Sequence, residues 1–166
     1  MVKRTSSSNS APPPAPQRLD NQLCFALYST SLTMTKLYKP VLERLGLTYP
    51  QYLVMLALWE SSPLAVGELG AQLFLASGTL TPLLKRMQAS GWLLRERDAA
   101  DERRVLVSLS VAGRALRRQA AGVPRTMAGA TRCSLDELAD LTRRLQTLRG
   151  TIAARPDSSP DVASRA

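Results

Sequence analysis

Apolar positions recur along much of the chain in steps of three and four residues, which is the spacing of amphipathic helices. The first such run predicts one long helix over residues 19–45. Gly46 ends the run, and Pro40 predicts a kink within it, because proline cannot donate a hydrogen bond to the carbonyl group four residues earlier. The apolar face of this helix comprises Leu23, Leu27, Met34, Leu37, Val41 and Leu45.

Three shorter helices are predicted next. Capping-box spacing over residues 48–51, with proline in the first turn, starts a helix that runs over about 49–61. A short helix over 66–73 and a tight turn lead to a third helix over about 77–90, for which Ser77 is the expected N-cap. Two short helices joined by a three-residue turn have the outline of a helix-turn-helix, although an ordinary helical hairpin has the same spacing.

Alternating apolar residues then predict two strands, over 92–97 and 105–109, joined by a charged loop. The loop is too polar for a core, and its arginines suit a β-hairpin wing that touches a phosphate backbone. Positive and negative charges balance over residues 95–104, so the net charge of this segment would not attract DNA. We expect contact through one arginine held in a defined position instead. We expect Asp101 to pair with the guanidinium of Arg103, which then enters a narrow minor groove.

The last part of the chain predicts further helices. Ser110 caps one that runs to about Gly122, where Gly122 and Pro124 allow a bend, and Ser134 starts the final helix with a second capping box. In a chain that already has a core, a leucine stripe on a terminal helix indicates a partner surface and hence a homodimer; packing within one chain is the alternative. The stripe comprises Leu135, Leu138, Leu141, Leu145, Leu148 and Ile152.

These elements predict a mainly α fold with a small β-hairpin wing, a winged helix-turn-helix. Residues 1–18 are expected to form a disordered arm rich in proline and serine, and 155–166 a flexible tail. One domain over 19–154 lies between them. Its DNA-binding core is expected over about 64–109, and its dimerisation helices over 19–45 and 110–154.

Charge and composition narrow the function. Sixteen of the 22 Lys and Arg residues follow Leu84, against nine of the 13 acidic residues, so a polyanionic partner is expected, although many basic proteins bind no nucleic acid. The chain has no histidine and only two cysteines, which excludes His/Cys zinc sites and His-based triads; no metal or cofactor is expected. No apolar run is long enough to cross a bilayer, so we expect a soluble, cytoplasmic protein whose thiols stay reduced.

A cysteine with tyrosines near it is the main candidate for chemistry. Cys24 lies about four residues after Asp20, the expected N-cap, and exposed N–H groups at a helix start favour a thiolate. Tyrosine hydroxyls are suitable hydrogen-bond donors to that thiolate, and Tyr28 is one turn away. Tyr38 is fourteen residues from Cys24, about 21 Å along a straight helix. If Tyr38 and Tyr49 serve Cys24, we expect them to come from a partner subunit.

Longer motifs resemble a known family. Residues 73–86 and 101–109 resemble the winged helix-turn-helix of MarR-type regulators. Residues 20–28, the Lys39–Pro40 pair and residues 47–53 resemble the branch of that family that senses organic hydroperoxides. The resemblance implies a homodimeric repressor, not an enzyme, that holds a pseudo-palindromic operator while its sensor cysteine is reduced. Reaction of the cysteine with an organic hydroperoxide then releases the DNA.

Members of that branch use one or two cysteines. The one-cysteine type completes the switch with a small thiol, whereas the two-cysteine type forms a disulfide between subunits, and Cys133 points to the second type. Cys24 would become a sulfenic acid that condenses with Cys133. The expected DNA contacts are Ser77, Thr79, Thr81, Lys85 and Arg86 on the recognition helix, and Arg95, Arg97, Asp101, Arg103 and Arg104 in the wing.

Three other functions compete with this interpretation. A regulator of the same fold could respond to hypochlorite, a quinone or a phenolic ligand. A thiol peroxidase could use Cys24 and Cys133, but it would not need a winged helix. A protein that coats nucleic acid without switching would leave the cysteine and the tyrosines unexplained.

Overall fold

A computed structural model describes residues 17–154 of the chain. The predicted arm, apart from Gln17 and Arg18, and the predicted tail lie outside the described residues, so their order stays a prediction. A 3₁₀ turn over Leu19–Asn21 opens the described part, and the helices and strands follow in this order: α1 (Leu23–Glu43), α2 (Tyr49–Glu60), β1 (Leu64–Ala65), α3 (Val66–Leu73), α4 (Ser77–Ala89), β2 (Leu93–Arg97), β3 (Val105–Leu109), α5 (Val111–Ala120), α6 (Val123–Thr131) and α7 (Leu135–Ala153).

The predicted fold class is confirmed: helices dominate, and β2 and β3 form the hairpin wing. The hairpin is antiparallel, with Leu93 opposite Leu109 and Arg97 opposite Val105. The strand β1 adds to the other edge of β3, which gives the order β1-β3-β2. Two residues are too few to show alternation, which is why the sequence did not predict β1.

Three details predicted for the helices were wrong. Asp20 does not cap α1, because it lies in the 3₁₀ turn and Gln22 is the N-cap. Ser77 is the first residue of α4 rather than its cap, since the extended backbone that precedes the helix belongs to Ala76. The stretch after Gly122 is a separate helix, α6, and not only a bend.

Other predicted caps are present. The backbone N–H of Thr48 donates to Gln51 Oε1 at 2.7 Å, which closes the capping box of α2. Ser110 Oγ accepts the N–H of Gly113 at 2.9 Å at the start of α5. Ser134 starts α7 in the same way, with its Oγ accepting the N–H of Glu137 at 3.2 Å. Each bond satisfies a helix-terminal N–H that has no partner within the helix.

The core lies between α2, α3, α4 and the sheet, with the C-terminal part of α1 against it. Trp59 fixes α5 on this core, because its indole N–H donates to the carbonyl oxygen of Gly113 at 3.0 Å. Gly113 is required there: a Cβ at this position would overlap the carbonyl oxygen of Trp92. The largest fully buried side chains are Leu42, Met55, Leu58, Leu69, Leu80, Leu84, Met87 and Leu93.

The α7 helix and the N-terminal part of α1 lie outside this core. In α1 only Leu42 is buried, and in α7 no residue is buried. Most of the leucine stripe of α7 is exposed, with Leu135 at 72% and Ile152 at 61%, whereas Leu138 and Leu148 are half-buried. Among the described helices, none has the length and apolar character needed to cross a membrane. The unpaired faces of α1 and α7 lie where the sequence analysis predicts dimerisation helices.

Candidate sensor and nucleic-acid interface

Cys24 is the second residue of α1, so it lies in the first turn, as predicted, and it is exposed. The N–H groups of a first turn have no partner within the helix, and they favour negative charge nearby. Tyr28 lies one turn further along and is also exposed, at 63%. Because α1 is continuous over Leu23–Glu43, Tyr38 lies about 21 Å along the axis from Cys24 of its own chain.

Tyr38 and Tyr49 form a pair at the other end of α1. The packing of α2 on α1 brings their ring centroids to 4.8 Å, at an interplanar angle of 50°. Burial raises the pKa of both phenols, and in Tyr38 the neighbouring Tyr49 raises it further. Both phenols therefore stay protonated at neutral pH and can act as hydrogen-bond donors. Within residues 17–154 neither hydroxyl has a hydrogen-bond partner.

Tyr52 completes the cluster in a different way. Its ring centroid is 6.1 Å from that of Tyr38, but its side chain belongs to the core, at 3% exposure. It borders a separate small groove with Leu56 and Trp59. The Tyr52 side chain is therefore part of the hydrophobic core.

The Tyr38–Tyr49 pair closes one end of a groove of about 720 Å³ between α1 and α7. Leu27 and Met34 of α1 face Leu141 and Leu145 of α7 across it. We call this space the tyrosine groove; its remaining lining is Ala26, Thr30, Ser31, Thr35 and Thr142. Its walls are largely apolar, and the two phenols supply hydrogen-bond donors at one end.

Cys133 lies in the junction between α6 and α7. The backbone of Arg132 is left-handed there, at φ 57°, and Ser134 begins the next helix. The thiol is half-buried and donates a weak hydrogen bond to the carbonyl oxygen of Thr131 at 3.6 Å. Hydrogen bonds from the backbone N–H and the hydroxyl of Ser134 lower the pKa of Glu137. Both cysteines are free in this single chain.

The predicted recognition helix is α4, and its apolar and polar residues separate as expected. Leu80, Leu83, Leu84 and Met87 are buried against the core. The predicted contact residues Ser77, Thr79, Lys85 and Arg86 are exposed, whereas Thr81 is half-buried. Thr81 faces the wing, and it lines a cleft of about 630 Å³ together with Arg95, Arg103 and Arg104. The cleft also includes the start of α3, from Ala65 to Glu68.

The predicted wing residues have different surroundings. Arg95 has a buried Nε without a hydrogen-bond partner in the described part of the chain. Arg97 and Arg103 are exposed and take part in none of the ion pairs formed within residues 17–154. Asp101 does not pair with the guanidinium of Arg103, as we had predicted; its Oδ1 accepts the backbone N–H of Arg103 at 3.0 Å. Asp101 thus shapes the loop rather than orienting the side chain.

Sequence reasoning missed Glu68. Arg104 donates to Glu68 Oε1 at 2.9 Å, and it lies 4.0 Å from Asp98 Oδ2. The two residues of the main pair are 36 positions apart in the sequence, so no local pattern links them. The sequence offered one signal for this role: Glu68 is an acidic residue in the first turn of α3, beside an otherwise basic surface. Over the part of the chain that the structure describes, no cluster of three or more potential metal ligands occurs.

The sequence of this chain is similar to those of known proteins. A family model described as transcriptional regulator SarA/Rot matches residues 36–119. The organic hydroperoxide resistance transcriptional regulator of Bacillus subtilis is 49% identical over 135 residues, which cover 81% of this chain and 92% of that protein. The HTH-type transcriptional regulator TtmR of Methylorubrum extorquens is 46% identical over 151 residues, covering 91% of this chain and 77% of that protein.

Solved structures of AbfR, from Staphylococcus epidermidis, have a similar fold. Reduced AbfR bound to DNA matches with a TM-score of 0.65 and 38% identity, over 82% of this chain and 96% of that one. The disulfide-formed AbfR matches with a TM-score of 0.57 and 37% identity, over 80% and 93% of the two chains.

Proposed function

The chain belongs to the SarA/Rot and MarR-type family of winged-helix transcriptional regulators, and on that premise we propose that it is a homodimeric repressor that senses organic hydroperoxides through Cys24. Reduced protein would hold its operator, and oxidised protein would release it. A cytoplasmic location follows from the proposal, because the repressor acts on DNA. The name of the Bacillus subtilis relative supports the choice of effector.

The observation that carries the proposal is the position of the two phenols relative to the thiol. Tyr38 and Tyr49 lie at one end of the tyrosine groove, and their hydroxyls have no hydrogen-bond partner within residues 17–154. The cysteine of the same chain lies at the other end of α1, out of reach. In an antiparallel crossing of two α1 helices, Cys24 of one subunit meets the phenols of the other. The exposed apolar faces of α1 and α7 supply the surface for that crossing.

The chemistry at such a site is simple. The thiolate of Cys24 attacks the distal oxygen of the hydroperoxide; the S–O bond forms and the O–O bond breaks. The sulfur is oxidised to a sulfenic acid, and the alkoxide takes a proton from water and leaves as an alcohol. Donated hydrogen bonds from phenols stabilise the thiolate before attack. The apolar walls of the groove suit the organic part of the peroxide.

The second step assigns a role to Cys133. Its thiol condenses with the sulfenic acid of Cys24 in the partner, forming a disulfide and releasing water. Cys133 adjoins the first turn of α7, so a bond to it would displace that helix end. AbfR, which has been solved in a reduced DNA-bound form and in a disulfide form, offers a parallel for this pair of states.

DNA binding would use the face that carries α4 and the wing. The exposed residues Ser77, Thr79, Lys85 and Arg86 of α4 would enter the major groove of a pseudo-palindromic operator. Arg103 extends from the wing without a carboxylate partner among the described residues and would reach the minor groove. Arg95 lines the cleft beside Thr81 and forms no ion pair within residues 17–154, so the guanidinium charge of Arg95 would be available to a phosphate.

A gel-shift assay tests the proposal. DNA from upstream of the protein's own gene is titrated with the reduced protein, and cumene hydroperoxide or hydrogen peroxide is then added. We expect a shifted band that cumene hydroperoxide abolishes at a lower concentration than hydrogen peroxide. Cys24→Ser should bind DNA and ignore both oxidants. Release of DNA by that variant at the wild-type peroxide concentration would refute the sensor role.

The resolving step has its own readout. Oxidised wild-type protein should run as a covalent dimer on a non-reducing gel, and Cys133→Ser should run as a monomer. A monomer band from oxidised wild type would instead assign the chain to the one-cysteine mechanism.

A further inference from the structure

Glu68 lies where the helix-turn-helix meets the wing, and both of its oxygens are used. Oε2 accepts the backbone N–H of Ala65 at 2.9 Å, which caps the start of α3. Oε1 accepts a hydrogen bond from the guanidinium of Arg104, also at 2.9 Å. One carboxylate therefore bridges the first turn of α3 and the base of the wing.

The backbone of Arg104 closes the wing loop at the same point. Its N–H donates to the carbonyl oxygen of Asp101 at 2.9 Å, and its own carbonyl oxygen accepts the N–H of Asp98 at 3.0 Å. Two positions further along, Leu106 of β3 pairs with Ala65 of β1. The main chain of Arg104 thus closes the wing loop, while its side chain and the neighbouring Leu106 connect that loop to the residues at the start of α3.

The other cationic groups of the cleft differ from Arg104. Arg103 has no carboxylate partner in the part of the chain that the structure describes, and the Nε of Arg95 has no hydrogen-bond partner there. Arg104 has two carboxylates within 4.0 Å. A phosphate that bound to Arg104 would compete with the Glu68 carboxylate for the charge of the guanidinium, whereas Arg95 and Arg103 form no ion pair within residues 17–154 that a phosphate would weaken.

We propose that Arg104, with Glu68, is a positioning residue that sets the angle of the wing against the recognition helix, and that Arg95 and Arg103 supply the charge that meets the DNA. This refines the proposed function and rests on it, since it assigns Arg104 a role within the DNA-binding surface. It replaces the direct DNA contact that we expected for Arg104 from the sequence. Both side chains of the pair are about half-exposed, so its effect on binding is modest, about two- to fivefold per subunit.

Two conservative variants test the pair. Glu68→Gln keeps one oxygen to cap Ala65 but loses the charge that holds Arg104. Arg104→Gln loses its charge but can still donate to Glu68. We expect each variant to weaken operator binding by about two- to fivefold per subunit, and the double variant to bind no more weakly than the weaker single variant, because both changes break one interaction.

The dependence of operator binding on salt separates positioning from phosphate contact. Each phosphate contact contributes about 0.9 to the slope of log K against log salt concentration, or about 1.8 for a contact made by both subunits. Arg104→Gln should leave the slope unchanged, and the matched variant Arg103→Gln should reduce its magnitude. An equal reduction in both variants, or tighter binding by Glu68→Gln, would overturn the proposal.

A second measurement works without DNA. Amide hydrogen exchange over residues 98–104 should be faster in Glu68→Gln than in the wild type, and unchanged in Arg103→Gln. Wild-type exchange rates in Glu68→Gln would refute the positioning role, whether or not the protein binds an operator. If the reduced wild type bound no DNA while the exchange result held, the proposed function would fail and the role of the pair in the wing would stand.

Discussion

Replacing two phenol groups tests how the sensor is built. Tyr38→Phe and Tyr49→Phe remove the hydroxyls that we propose as donors to the partner's Cys24, and they keep the rings. The ring contact at 4.8 Å and the packing of α1 on α2 do not depend on the hydroxyls. Since neither hydroxyl has a partner within residues 17–154, its removal leaves no buried group unsatisfied in the single chain.

The expected magnitude follows from the strength of the bonds that are lost. A hydrogen bond to a charged acceptor is worth about 1.5–3 kcal/mol. The phenols are only half-buried, so the lower end applies to each, and 1.4 kcal/mol corresponds to about tenfold. Each single variant should therefore slow oxidation of Cys24 by about tenfold, and the double variant by about 10- to 100-fold. Because burial raises the pKa of both phenols, they remain donors throughout the neutral range.

The assay isolates the first chemical step. All variants are made with Cys133→Ser, so that no disulfide follows, and sulfenic acid is trapped with a dimedone reagent after a pulse of cumene hydroperoxide. Tyr52→Phe is the matched control, because it alters the same cluster but lies outside the tyrosine groove. Equal rates in the double variant and in the control would show that the phenols do not serve the thiolate.

Mixed dimers decide which subunit supplies the donors. One subunit carries Cys24→Ser with intact tyrosines, and the other carries Cys24 with Tyr38→Phe and Tyr49→Phe. If the donors act across the interface, the single remaining Cys24 faces intact phenols and reacts at the normal rate. Slow reaction in this mixed dimer would place the donors in the same chain and refute the geometric argument.

Three further predictions concern the fold at a fixed protein concentration. Gly113→Ala should lower the free energy of unfolding by about 1–3 kcal/mol, because a Cβ there overlaps the carbonyl oxygen of Trp92; an unchanged urea midpoint would contradict this. Leu42→Ala should cost about 2–5 kcal/mol by the same measurement, since Leu42 is fully buried; a smaller loss would mean that the site collapses. The fold lowers the pKa of Glu137, so the ionised carboxylate stabilises α7. This stabilisation is fully present at a pH above the ordinary glutamate pKa, and it is lost as the pH falls through the lowered pKa of the folded protein. Glu137→Gln should reduce the acid-dependent change in far-UV circular dichroism, and an identical acid titration would refute this.

The sequence predicted the elements whose signals are periodic. The helices α2 to α5 and the two wing strands lie within one or two residues of their predicted ranges, because apolar spacing and caps act along the chain. The errors at Asp20 and Ser77 have a different cause. The N-caps of α1 and α4 are set by extended backbone without a side-chain cap hydrogen bond, so residue type alone could not select Gln22 or Ala76.

Contacts between residues that are far apart in the sequence could not be predicted for a related reason. The Glu68–Arg104 pair depends on how the wing folds back on α3, and nothing near either residue signals it. Arg104 therefore looked equivalent to Arg103 in the sequence, although the fold gives the two arginines different neighbours. The same limit applied to Asp101, where a short loop made the backbone N–H of Arg103 a closer partner than its guanidinium.

If Cys133 is the resolving thiol that we propose, α7 connects it to the helix-turn-helix. This helix begins beside Cys133, and near its other end the guanidinium of Arg149 lies 4.6 Å from the ring centroid of Phe74. Phe74 caps α3 in the turn of the helix-turn-helix, in a left-handed conformation at φ 55°. A disulfide at Cys133 would thus act on one end of a rigid element whose other end touches the turn before the recognition helix. No residue of α7 is fully buried in its own chain, so a displacement of this helix would leave the buried core of α2, α3, α4 and the sheet in place, as the proposed release of DNA requires.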